Sequence, residues 1–172
     1  MSMEIRIVTE ADDRFAISNV YEKSWKYAYK GIVPNDFLEG IPEGEWASHI
    51  ELEDRKNLVM VRDGKIVGTS SFGNSRMAEM DGFGEIISLY LLPEYMGKGY
   101  GRMLLQTAVA ELGKMGFENV YLWVLEENRN ARHFYEMFGF VQTERCLNCN
   151  IGGRDLREVQ YCYCRKDMLG ED

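Results

Sequence analysis

"LLPEYMGKGYGRMLL", residues 91–105, sets Gly97, Gly99 and Gly101 at alternate positions between an apolar run that reads as a strand and an apolar run that reads as a helix. Pro93 lacks an N–H and closes the strand. Beyond the glycines, Leu104, Leu105, Ala108, Val109, Leu112 and Met115 recur at helical spacing, and Gly116 supplies the stop. In such a strand, loop and helix unit, successive backbone N–H groups converge on one anion at the helix's positive end. Lys98 and Arg102 flank the glycines and favour a pyrophosphate. A P-loop would need G-x-x-x-x-G-K-[ST]. A dinucleotide fingerprint would need G-x-G-x-x-G, but Arg102 stands where its last glycine belongs after Gly97 and Gly99.

Working outward, "MEIRIV" (3–8) alternates as a strand, and Thr9 with the acidic 10–13 opens a helix running through about Lys30, broken by Gly31 and Pro34. "PNDFLEG" (34–40) restarts a short helical turn, and "EGEWASHIELED" (43–54) reads as a further helical stretch. "NLVMV" (57–61) and "IVGTSSFG" (66–73), joined by an Asp-Gly turn, form a hairpin that "GEIISLYLL" (84–92) extends. "NVYLWVL" (119–125) is apolar on both faces, as a strand in the middle of a doubly covered sheet requires. The helix "NARHFYEMFG" (130–139) and the strands "FVQTERCL" (140–147) and "DLREVQYCYCR" (155–165) come next, with no repeat or linker. The expectation is one α+β domain over 1–172, with a single mixed, mostly antiparallel sheet of six to seven strands and helices on both faces.

Composition narrows the function. The 172 residues are 45% hydrophobic, enough for one sizeable core. The 28 acidic and 20 basic side chains give a net charge of −8, which works against phosphate-driven nucleic-acid binding and favours a cationic or neutral partner. Neither a leader segment nor a membrane span is read in the chain, so the expected location is cytoplasmic. Cys146, Cys149, Cys162 and Cys164 read as packed free thiols in preference to a metal site, because the second pair alternates along one strand face. His49 and His133 have no Ser or Cys partner at a suggestive spacing.

A second motif joins the first. "LWVLEENRNARHFYEMFGF" (122–140) carries N-x-x-A-x-x-F-Y-x-x-x-G-F through Asn128, Ala131, Phe134, Tyr135, Gly139 and Phe140. Together with "EIISLYLLPEYMGKGYG" (85–101) it resembles the GNAT-type N-acetyltransferases, and the resemblance runs from the first strand to the last. It implies transfer of an acetyl group from acetyl-CoA to an amine. It further implies that backbone groups of Leu89, Tyr90 and Leu91 bind the pantetheine arm, that the amides of Met96, Gly97, Lys98, Gly99, Tyr100, Gly101 and Arg102 hold the pyrophosphate, and that Asn128 and Tyr135 contact the cofactor. Met96 departs from the family pattern, which has a Gln or Arg donor there; a thioether donates no hydrogen bond.

By the same resemblance Glu85 is the general base, opening the strand that ends at the cofactor, and Tyr135 is the acid that serves the departing thiolate. A lysine-type amine arrives protonated, so a base is required. Trp25 and Tyr29, four residues apart on one helix face with Tyr27 between them, lie where the family places substrate-facing residues. The expected acceptor is a small cationic amine such as a polyamine, drawn by the carboxylates of 43–54 and of "MAEMDGFGE" (77–85). Protein or peptide amines, a non-catalytic acyl-CoA-binding module and a nucleotide-using enzyme remain as alternatives. The last strand offers an edge for a possible homodimer.

Overall fold

The structure is a computed structural model that describes residues 2–50 and 53–165. Seven strands form one sheet: β1 (Met3–Ile7), β2 (Lys56–Arg62), β3 (Lys65–Asn74), β4 (Gly84–Leu91), β5 (Asn119–Leu125), β6 (Val141–Ile151) and β7 (Arg154–Cys164). Four helices accompany them: α1 (Arg14–Ala28), α2 (Asn35–Glu39), α3 (Tyr100–Lys114) and α4 (Arg129–Phe138). The sheet order is β1-β2-β3-β4-β5-β7-β6, and every neighbouring pair is antiparallel except β4 with β5. The expected α+β architecture is the one observed.

Alternation along β2 shows how the sheet is covered. Leu58 and Met60 join the main core with Leu104, Leu105, Ala108, Val109 and Leu112 of α3, and Phe134, Tyr135 and Phe138 of α4 pack against that core. Val59, on the opposite face, packs with Ile17 and Tyr21 of α1. A third cluster joins Val33, Leu38 and Ile41, around α2, to Leu125 of β5 and Leu156 of β7. The α1–α2 region and the α3–α4 pair therefore lie on opposite faces.

Several boundaries differ from the sequence reading, each for a local reason. The helix start falls at Asp13, whose Oδ1 accepts the Phe15 N–H at 2.9 Å. Thr9 sits in a preceding turn, its N–H donating to Asp12 at 2.7 Å while Arg6 holds both oxygens of that carboxylate. In 43–54 the expected helix shrinks to a single 3₁₀ turn, Ala47–His49, with residues 51 and 52 outside the described residues. The backbone donors there are diverted to α1: Gly44 N–H goes to Glu22 at 3.1 Å and Trp46 N–H to the Ser18 hydroxyl at 3.0 Å. β5 is buried on both faces but lies one place off the centre, which β4 occupies. The last strand is not an edge. β7 inserts between β5 and β6 after the Gly152-Gly153 turn, leaving β6 and β1 at the margins.

A bulge makes the site possible. Ser71 pairs with Ser88 and Phe72 with Ile86, so Ile87 has no partner across β3. The extra residue bends β4 and changes which face its side chains take. Parallel pairing of β4 with β5 is confined to Gly84–Val120, Glu85–Tyr121 and Ile86–Leu122; beyond these the two strands part.

Candidate active site

The gap between the parted strands opens into a cavity of about 1220 Å³. Single small ligands usually occupy roughly 300–1,000 Å³, so there is room for a cofactor arm and an acceptor together. Ile87 to Leu91 of β4 and Trp123 to Leu125 of β5 form its two sides. Their facing backbone groups, no longer bonded to each other, suit an extended ligand that takes the place of a strand. Leu89, Tyr90 and Leu91 all lie on this wall.

At one end stands the glycine loop. Gly97 and Gly99 have φ of 72° and 88°, which side-chain-bearing residues rarely adopt. The first i→i−4 bond of α3 runs from Met103 N–H to the Gly99 carbonyl at 3.3 Å, so the amides before it point from the helix's positive end with no acceptor of their own helix. Lys98 and Arg102 are exposed beside them, and Tyr100 is partly buried. Met96 is half-buried against the main core and its thioether offers no donor, which leaves the amides and the two cations as the groups available to an anion. A side chain at Gly99 would strain the loop by about 1–2 kcal/mol. Gly99→Ala is therefore expected to weaken acetyl-CoA about ten-fold by calorimetry, and an unchanged Kd would separate loop geometry from binding.

Asn128 caps α4, its Oδ1 accepting the Ala131 N–H at 3.2 Å, and also lines the cavity. Two turns further on, Tyr135 lies beside Phe134 and Phe140, at ring separations of 5.2 and 5.8 Å, and faces the same space. Among the described residues nothing hydrogen-bonds its hydroxyl. Burial first, and then the Tyr90 phenol, push its pKa far above that of an ordinary tyrosine. Tyr90 is pushed up to about 12, chiefly by burial, and its oxygen accepts the Trp25 Nε1–H at 3.1 Å. Tyr29 is likewise raised, burial again leading. All three phenols stay neutral at physiological pH.

The other end is aromatic and acidic. Trp25 and Tyr29 meet edge-on at 4.8 Å, as their shared helix face requires, and both line the cavity; Tyr27 is largely exposed at its rim. Glu85 also reaches this space, but its carboxylate is engaged. Arg76 donates through Nη2 at 2.7 Å and through Nε and its backbone N–H at 3.1 Å each, and Tyr121 donates its hydroxyl at 3.0 Å. The other lining carboxylates are Glu127, ion-paired with Arg154 at 3.1 Å, and Glu158, which the sequence reading passed over. Among the described residues, Glu43, Glu45, Glu53 and Asp54 of the 43–54 stretch, and Glu79 and Asp81, do not line the cavity, while Glu51 lies outside the described residues. His49 and His133 are exposed and apart from it. The four cysteines are free thiols, as expected; Cys146 is exposed, and Cys149, Cys162 and Cys164 are partly buried on β6 and β7. Among the described residues no group of three or more His, Cys, Asp or Glu side chains is arranged for a metal ion.

A sheet parted after a bulge, a glycine loop capping a helix and a cavity joining them to an aromatic chamber are the arrangement that an acyl-CoA-dependent transferase requires. The chain belongs to the GNAT acetyltransferase family, whose model matches residues 17–140. It is similar to the uncharacterized N-acetyltransferase YuaI of Bacillus subtilis, with 32% identity over 83% of each chain. Identity to the spermidine N(1)-acetyltransferase of Thermoplasma acidophilum is 28%, over 81% of this chain and 89% of that one. The crystal structure of PaiA N-acetyltransferase from Thermoplasma acidophilum in complex with coenzyme A superposes with a TM-score of 0.72 at 25% identity, over 95% of this chain and all of that one. The protein is thus an acetyl-CoA-dependent N-acetyltransferase.

Proposed function

We propose that the enzyme acetylates the primary amine of a small cationic acceptor, with polyamines as the class that fits best. One observation carries the reading: the cavity runs without interruption from the glycine loop to the chamber of Trp25, Tyr29 and Glu158. Aromatic faces attract ammonium groups at close range, and an adjacent carboxylate adds a counter-charge. The net charge of −8 adds a longer-range attraction. Similarity to a spermidine acetyltransferase is in keeping with this choice.

In this scheme the amides from Met96 to Arg102 grip the pyrophosphate, the backbone of Leu89, Tyr90 and Leu91 pairs with the pantetheine arm, and Asn128 meets the arm from the start of α4. Tyr135 donates a hydrogen bond to the sulfur as the thioester breaks. The whole chain acts as one domain, in the cytoplasm; among the described residues no helix is long and apolar enough to cross a membrane.

Free thiol released from acetyl-CoA in the presence of a panel of amines tests the reading. Spermidine and related polyamines should give the highest kcat/KM, with a KM that rises as added salt screens the attraction. Preference for neutral or zwitterionic amines, with a KM indifferent to salt, would remove the polyamine assignment.

A further inference from the structure

Acetyl transfer to an amine, as proposed for this site, needs a group to take a proton from the arriving ammonium. Resting on that proposal, we infer that Glu158 is this group: its carboxylate anchors the acceptor ammonium in the inner chamber and accepts its proton.

Glu158 lies on β7 opposite Leu125 of β5 and Leu147 of β6, and all three line the cavity. Two residues earlier on the same strand, Leu156 packs with Val33, Leu38 and Ile41, so strand alternation turns Glu158 towards the α1–α2 face, where Trp25 and Tyr29 stand. Its condition differs from that of the other two lining carboxylates. Glu85 is held by Arg76 and Tyr121, and Glu127 by Arg154. Among the described residues Glu158 makes neither a hydrogen bond nor an ion pair, although it is more than half withdrawn from water.

A withdrawn, unpaired carboxylate is unfavourable unless a cation joins it. Among the described residues, the charged and titratable groups that act on it supply no free cation. Arg76 is already neutralised by Glu85, and Tyr29, Tyr90 and Cys149 are neutral acids, each raised chiefly by burial. An ammonium from the acceptor completes the chamber. Burial, opposed by Arg76 and reinforced by Glu85, lifts the Glu158 carboxyl above its ordinary range, towards that of the amine it deprotonates.

Protons and electrons balance across the transfer. The ammonium gives one proton to Glu158, and the freed lone pair forms the C–N bond at the thioester carbon. As the C–S bond breaks, its electron pair leaves with sulfur, and the nitrogen's second surplus proton goes to that thiolate beside Tyr135. Glu158 then releases its proton to water, leaving amide, free coenzyme A thiol and one proton.

The test compares full-length wild type, Glu158→Gln and Glu158→Asp, with acetyl-CoA and spermidine together with the amine panel. Glu158→Gln should lower kcat/KM at least about ten-fold and flatten its rise with pH, while Glu158→Asp restores part of both. Acetyl-CoA affinity by calorimetry should be the same in all three. If Glu158→Gln keeps the wild-type kcat/KM and pH profile while the wild type turns over, the inference is wrong and the amine-transfer reading stands. If the wild type binds acetyl-CoA yet acetylates no amine of the panel, that reading fails and Glu158 loses the role with it.

Discussion

Replacing Tyr135 by phenylalanine is expected to lower kcat by about ten- to a hundred-fold while leaving acetyl-CoA affinity nearly unchanged. The ring sits between Phe134 and Phe140, so the substitution keeps its packing and removes only the hydroxyl. Burial holds that hydroxyl protonated, so it donates and does not ionise. The thiolate of a thiol whose reference pKa is about 8.5 is a weaker base than such a phenolate. Complete proton transfer from Tyr135 to sulfur is therefore uphill, and its contribution is a hydrogen bond that strengthens as negative charge gathers on the leaving group. A bond to a charged acceptor contributes about 1.5–3 kcal/mol, and each ~1.4 kcal/mol is a factor of ten in rate. Because the bond matters in the transition state more than in the ground state, the loss belongs in kcat. Single-turnover measurements with saturating acetyl-CoA check this. A loss confined to KM would move Tyr135 from chemistry to binding.

The order of elements and the glycine loop were legible because each is a local signal. Pro93, the alternate glycines and the apolar spacing of α3 lie within one short stretch and need no distant partner to be read. The acceptor chamber was less legible, because it depends on where strands end up. Without the bulge at Ile87, Glu85 would share a face with Ile87, Leu89 and Leu91, and the sequence shows nothing that marks the extra residue. Glu158 was missed for a related reason. In "DLREVQYCYCR" it reads as a polar position on the outer face of a last, marginal strand. Only the insertion of β7 beside β5 brings it under α1 and α2. A signal was present, though: Val159, Tyr161 and Tyr163 alternate with Leu156, Glu158 and Gln160, and a strand with large apolar groups on one face and Leu156 on the other is covered on both. In 43–54 the helical pattern was real, but Ser18 and Glu22 of α1 compete for its backbone donors, and no window of local sequence reveals that.

Glu85→Gln is expected to destabilise the protein by about 3 kcal/mol, near the lower limit for removing one member of a buried ion pair. The Glu85 side chain is 2% exposed and receives donors from Arg76 and Tyr121, whereas Arg76 remains 45% exposed and keeps part of its hydration once released, which limits the loss. For a chain of this length the midpoint of thermal unfolding should fall by roughly 6–12 °C. Glu158→Gln should behave in the opposite way. Its carboxyl is raised in the folded state, so the native protein binds more protons than the unfolded chain between the two pKa values, and stability falls as pH rises through that window. Removing the group removes that penalty, and Glu158→Gln should melt no lower than wild type at neutral and alkaline pH. Turnover separates the two carboxylates again. In Glu85→Gln the Arg76 guanidinium loses its counter-charge while still facing Glu158, so a cationic acceptor should bind more weakly and KM should rise more than kcat falls. A Glu85→Gln variant that melted with wild type but lost kcat and its dependence on pH would return the base to Glu85, as the family resemblance implies, and leave Arg76 as its modulator.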